Sequence, residues 1–137
     1  MKSLVLDTNF LIDFCQNPSS FAHSSLGEYG QLLIPSVVLG EYKAGIQKTK
    51  RGEEAKTRLA QLLARSSVKT VPIGERTAEL YAKVFQSLRD MGRPIPQNDI
   101  WIAASALEHG ADLATTDGHF RLVPLLTVIV TRSVTDR

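Results

Sequence analysis

Cysteine is nearly missing from this chain: Cys15 is the single one in 137 residues. One thiol closes no disulfide within a chain and supplies no cysteine-based metal site. Standing on apolar helical spacing, Cys15 reads as a small core residue. The three histidines, His23, His109 and His119, do not form a ligand set either. No apolar run approaches the roughly 18 to 20 residues that a membrane span needs. Asp7 and Asp13 interrupt the apolar start, which spoils it as a signal peptide, so a cytoplasmic protein with no membrane attachment is expected. Repeats, linkers and low-complexity tracts are also missing, and the nine Gly and six Pro are spread along the chain. One domain spanning 1–137, with one core, is the expectation.

Net charge is only +2, but the positive residues are uneven. Lys43, Lys48, Lys50, Arg51, Lys56, Arg58, Arg65 and Lys69 make up half of the sixteen basic residues, and only Glu53 and Glu54 oppose them in that stretch. Such a surface is either a solvated helix face or a place to meet phosphates. Among these, Lys43, Lys48, Lys50 and Arg51 are the candidate contacts to a nucleic-acid backbone.

Short apolar runs alternate with helical patterns. "SLVLD" at 3–7, "QLLIPS" at 31–36, "SVKTVPI" at 67–73, "ADLATTD" at 111–117 and "LLTVIVT" at 125–131 read as buried strands. Phe10, Leu11 and Phe14 recur at helical spacing until Asn17 and Pro18, and residues 20–30 suggest a second helix. Ser36 is placed to cap a helix carrying Val37, Val38, Tyr42 and Ile46. Leu59, Leu62 and Leu63 mark another, and a long amphipathic helix runs past Ala78, Tyr81 and Phe85 to a stop near Gly92. After the proline loop "GRPIP", Asn98 or Asp99 would cap a helix that Gly110 ends. Strands alternating with helices predict an α/β domain on a mostly parallel four- to five-stranded sheet. The last residues, "SVTDR", read as a frayed tail.

In open α/β sheets, sites form at the carboxyl ends of the strands. Asp7 ends the first strand, Glu41 lies in the helix after the second, Asp99 starts the helix after the prolines, and Asp117 ends "ADLATTD". Each alone has an ordinary reading as a turn, cap or exposed helix residue. Together they fall near one edge of one sheet, where clustered carboxylates must take up protons or share a cation. Mg²⁺ or Mn²⁺ suits an all-carboxylate set, and such a centre suits phosphodiester hydrolysis by a water of lowered pKa.

"LVLDTNFLID", "IPSVVLGEYKAGI", "GRPIPQNDIWIAASALEHGADLATTD" and the following "GHF" together resemble the PIN domain family, most closely its VapC-type toxin ribonucleases. The resemblance runs along nearly the whole chain. It implies a three-layer α/β/α sandwich whose acidic pocket binds Mg²⁺ or Mn²⁺ and cuts single-stranded or loop RNA. It carries metal-site roles onto Asp7, Glu41, Asp99 and Asp117, with Asp7 and Asp99 as direct ligands. It also assigns Thr8, Asn9 and Thr116 to hold those carboxylates, although capping the adjacent turns would explain the two threonines as well. A homodimer is implied, together with a VapB-type antitoxin that occupies the acidic groove through an arginine and brings DNA into play only indirectly.

Other residues have simpler readings. His119, beside Asp117, is a candidate substrate contact, while Phe120 reads as core. His109 suits the end of its helix, and His23 suits the surface. Trp101 has helical spacing to apolar neighbours that favours packing over base stacking. Three other functions compete with the toxin ribonuclease. A haloacid-dehalogenase-type phosphatase wants a second Asp two residues after Asp7, where this chain has Asn9. A non-catalytic RNA-binding module would be marked by loss of acids, and all four are present. A solitary RNA-processing nuclease would share the chemistry and lack an antitoxin.

Overall fold

The computed structural model of the protein describes residues 2–16 and 27–131. The helix expected over 20–30 falls mostly outside these residues, as do His23 and the "SVTDR" tail; residues 27–30 form a turn and bend.

Five strands, β1 (Ser3–Leu6), β2 (Gln31–Pro35), β3 (Val68–Val71), β4 (Asp112–Thr115) and β5 (Val128–Val130), form one sheet in the order β3-β2-β1-β4-β5. Every pairing is parallel. The central strand shows why: Leu4, Val5 and Leu6 are all buried, as a strand covered on both faces requires. Edge strand β3 buries only Val68 and Val71.

The helices are α1 (Thr8–Gln16), α2 (Ser36–Ile46), α3 (Gly52–Leu63), α4 (Glu75–Asp90) and α5 (Gln97–Glu108), with a short 3₁₀ turn at Gly118–Leu122. The chain steps from β1 outward to β2 and β3, then returns across the sheet to β4. Right-handed crossovers therefore place α1, α2 and α3 on one face, and α4 and α5 on the other. The packing agrees: α1 lies against α2 and α3, while α4 packs along α5, which covers β1 and β4. The sandwich has the three layers expected. Trp101 of α5 rests on Tyr81 of α4 with ring centroids 4.1 Å apart, so it packs two helices together. Cys15 is buried in the core beside Phe14, as its setting in the sequence suggests.

Two expected caps are absent. Helices α2 and α5 are entered from Pro35 (φ −63°, ψ 150°) and Pro96 (φ −56°, ψ 145°), neither followed by a side-chain cap. The proline rings preset the entry, so Ser36, Asn98 and Asp99 lie inside the first turn with their side chains released for other contacts. Ser36 donates its hydroxyl to the Val71 carbonyl of β3 instead. The stops match expectation: Gly92 (φ 66°) and Gly110 (φ 58°) are left-handed at the ends of α4 and α5. His109 sets Nδ1 2.8 Å from the Ser105 carbonyl oxygen in the last turn of α5.

Candidate active site

The four acids read from the sequence arrive at the carboxyl edge of the sheet, joined by one hydrogen-bond network. Asp7 continues the β1 ladder, its backbone N–H donating to the Ala114 carbonyl at 2.9 Å. Its side chain is buried, at 5% exposure, and both oxygens are engaged. Oδ1 accepts the N–H of Thr8 at 2.8 Å, and Oδ2 accepts the Thr115 hydroxyl at 2.6 Å. Burial pushes the Asp7 pKa up to about 6; these hydrogen bonds pull it down, and the negative charges of Asp99 and Glu41 raise it again.

Glu41 is held from two other elements. The Thr8 hydroxyl of α1 donates to Oε1 at 2.8 Å, and the Asn98 amide of α5 reaches Oε2 at 3.5 Å. Asp99, one residue further along α5, also has a raised pKa. Burial is the main cause; His119 opposes it, while Glu41 and Asp117 add to it. The His119 Nε2 lies 2.8 Å from Asp99 Oδ2, and the Nδ1 lies 2.7 Å from Asp117 Oδ2. Asp117 begins the 3₁₀ turn and accepts the backbone N–H of His119 on Oδ1 at 3.0 Å.

Two carboxylates with raised pKa values, buried Asp7 and partly buried Asp99, set against Glu41 and Asp117, make a site with surplus negative charge. The donors are all hard oxygens, the set that Mg²⁺ and Mn²⁺ select. Among the described residues, no three His, Cys, Asp or Glu side chains already converge on one point. An ion held by one or two carboxylates and its own waters, the usual habit of Mg²⁺, fits this arrangement.

The sequence profile of the PIN domain matches residues 4–125. The chain belongs to the PIN domain family. This PIN domain is 32% identical over 96 residues to Ribonuclease VapC4 of Mycobacterium tuberculosis (strain ATCC 25618 / H37Rv), covering 70% of this chain and 74% of that relative. Its fold resembles a crystal structure of VapBC2 from Rickettsia felis bound to a promoter DNA fragment, with a TM-score of 0.83 at 24% identity over 93% of this chain and 98% of that one. VapBC-5 from Mycobacterium tuberculosis matches with a TM-score of 0.70 at 26% identity, over 96% and 99% of the two chains.

Other expected site residues fall in different places in the PIN domain. Thr8 does hold a carboxylate, that of Glu41. Asn9 is exposed on the first turn of α1, and the amide that reaches Glu41 belongs to Asn98. The hydroxyl on Asp7 comes from fully buried Thr115, not from half-buried Thr116. Register decides this: Leu6 pairs with Ala114, so Asp7 is level with Thr115. Lys43, Lys48, Lys50 and Arg51 are exposed, Lys43 on α2 and the others in the turn after it. Arg58 is committed elsewhere: Nη1 donates to the carbonyls of Cys15 and Gln16 at the end of α1, and Nη2 pairs with Glu54. No helix among the described residues is long and apolar enough to cross a membrane.

Proposed function

We propose that this PIN domain is a Mg²⁺- or Mn²⁺-dependent endoribonuclease, the toxin half of a toxin–antitoxin pair, acting in the cytoplasm on a structured RNA such as a tRNA. The observation that carries the reading is the junction of Asp7, Glu41, Asp99 and Asp117, drawn from four elements to one edge, with Asp7 buried and its pKa pushed to about 6. Carboxylates so placed serve a hydrolase when a cation shares them. Asp7 and Asp99 would be the direct ligands, with Glu41 and Asp117 completing the negative field. A bound divalent cation would supply a water of lowered pKa and neutralise charge at the phosphate.

The chain's own residues prepare for that chemistry. Thr115 and the Thr8 N–H fix the rotamer of Asp7, while the Thr8 hydroxyl and Asn98 aim Glu41. Exposed Lys43, Lys48, Lys50 and Arg51 would hold the RNA backbone, giving affinity without base choice.

Relatives named as VapC ribonucleases, and fold neighbours solved as VapBC complexes, support a VapB-type antitoxin as partner. An antitoxin arginine suits the site because a guanidinium can replace a cation among carboxylates. A homodimer is part of the same reading, and DNA would be met only through the antitoxin. The test is incubation of the protein with total RNA, with Mg²⁺ or Mn²⁺ and with chelator, followed by mapping of new 5′ ends. Discrete metal-dependent ends are expected; an unchanged RNA pool in every condition contradicts the proposal.

A further inference from the structure

The four acids are not equivalent. Asp99 and Glu41 both raise the pKa of Asp7, and Glu41 and Asp117 both raise that of Asp99. The Asp117 carboxylate comes to the group at Asp99, with the imidazole of His119 between the two, while its backbone N–H is held by the Thr115 hydroxyl. Asp117 is also the more open of the two acids on the ring, its side chain 46% exposed against 19% for Asp99. Both of its oxygens face one residue, Oδ1 toward the His119 N–H at 3.0 Å and Oδ2 toward Nδ1 at 2.7 Å. Backbone and ring together form a closed clamp. The ring's other nitrogen ends on Asp99 Oδ2 at 2.8 Å, leaving Asp99 Oδ1 free of the ring.

We propose that His119 is a positioning residue: Asp117 fixes the ring, the ring holds one oxygen of Asp99, and Asp117 influences the cation site through His119 rather than by ligating the ion. The proposal rests on the cation-dependent reading above. A partner that orients a metal-binding carboxylate sets its rotamer and basicity, and removing it weakens metal affinity by about 10- to 100-fold.

The experiment is Mn²⁺ titration calorimetry on metal-free protein, comparing the parent with H119A, D117N, the H119A/D117N pair and H119Q, and with D99N as reference. Unfolding midpoints in chelator check that each variant is folded. D99N should abolish measurable Mn²⁺ binding. H119A and D117N should each weaken it about tenfold or more, and the double variant should be no weaker than H119A within about twofold, because both substitutions break one chain of contacts, from Asp117 to the ring and from the ring to Asp99. Glutamine places an amide near the position of Nε2, so H119Q should recover affinity relative to H119A. Additive losses in the double variant would make Asp117 a ligand in its own right and overturn the proposal. So would an H119A protein that binds Mn²⁺ as tightly as the parent, or an H119Q protein no better than H119A. Unchanged binding by D99N would instead remove the cation site itself, a failure distinct from that of the His119 assignment.

Discussion

The Thr115 hydroxyl donates to Asp7 Oδ2 at 2.6 Å while accepting the backbone N–H of Asp117 at 3.0 Å. One buried side chain thus ties the end of β1 to the segment carrying the fourth acid. Its neighbour Thr116 has the same chemistry at a position that does not face Asp7. A Thr115→Val substitution keeps the shape and removes a hydrogen bond to a buried carboxylate, costing about 1.5 to 3 kcal/mol at neutral pH. Thr116→Val should stay within about 0.5 kcal/mol. Denaturant unfolding of both variants checks the contrast; equal destabilisation of the two would contradict it.

Asp7 also makes the metal-free protein sensitive to pH. Its folded pKa is about 6 against an ordinary 3.8, so the folded state holds the proton more tightly than the unfolded chain. For a raised carboxyl the penalty is absent below about pH 4, grows as pH rises to about 6, and stays constant above, reaching about 3 kcal/mol. Asp7→Asn removes it. In chelator, the variant should therefore be more stable than the parent above pH 6 and should lose that advantage near pH 4. Thermal melts across this range decide; parallel curves for the two proteins would refute the buried, proton-holding state of Asp7.

Ser105 offers a simpler stability test. Its hydroxyl, in the middle of α5, is buried without a hydrogen-bond partner. An unsatisfied buried hydroxyl costs about 1 to 3 kcal/mol, so Ser105→Ala should raise stability by about 1 kcal/mol in a urea titration. A destabilised variant would show that the hydroxyl has a partner in solution.

The basic turn after α2 should matter for RNA and not for chemistry. Replacing Lys50 and Arg51 by Ala should weaken RNA binding uniformly across sequences and reduce the salt slope by about 1 for each phosphate no longer held. Binding measured over a KCl series checks this. An unchanged slope would mean that the RNA backbone lies elsewhere.

Much of the fold and of the site is legible in the chain, for identifiable reasons. Buried parallel strands read as short apolar runs, and acids at their ends stand out against that background, which locates all five strands and all four acids. What escapes depends on register or on competition. Choosing Thr115 over Thr116 requires knowing that Leu6 pairs with Ala114. Ser36 and Asp99 look like caps, yet Pro35 and Pro96 already set the helix entries. Asn98 bridges to Glu41 across 57 positions, and Arg58 is taken by the end of α1; neither bond leaves a local pattern.

The most direct test of the cation-dependent nuclease is cleavage of RNA by the parent and by Asp99→Asn, each with Mn²⁺ and with chelator. Asp99 is partly open to solvent and held by His119, so asparagine preserves its shape while removing the charge a cation needs. Mn²⁺-dependent cleavage by the parent is expected, with none in chelator, and at least about a 100-fold loss in the folded variant, about 3 kcal/mol of barrier. Cleavage by Asp99→Asn at the parent's rate, or cutting that persists in chelator, would contradict the central claim.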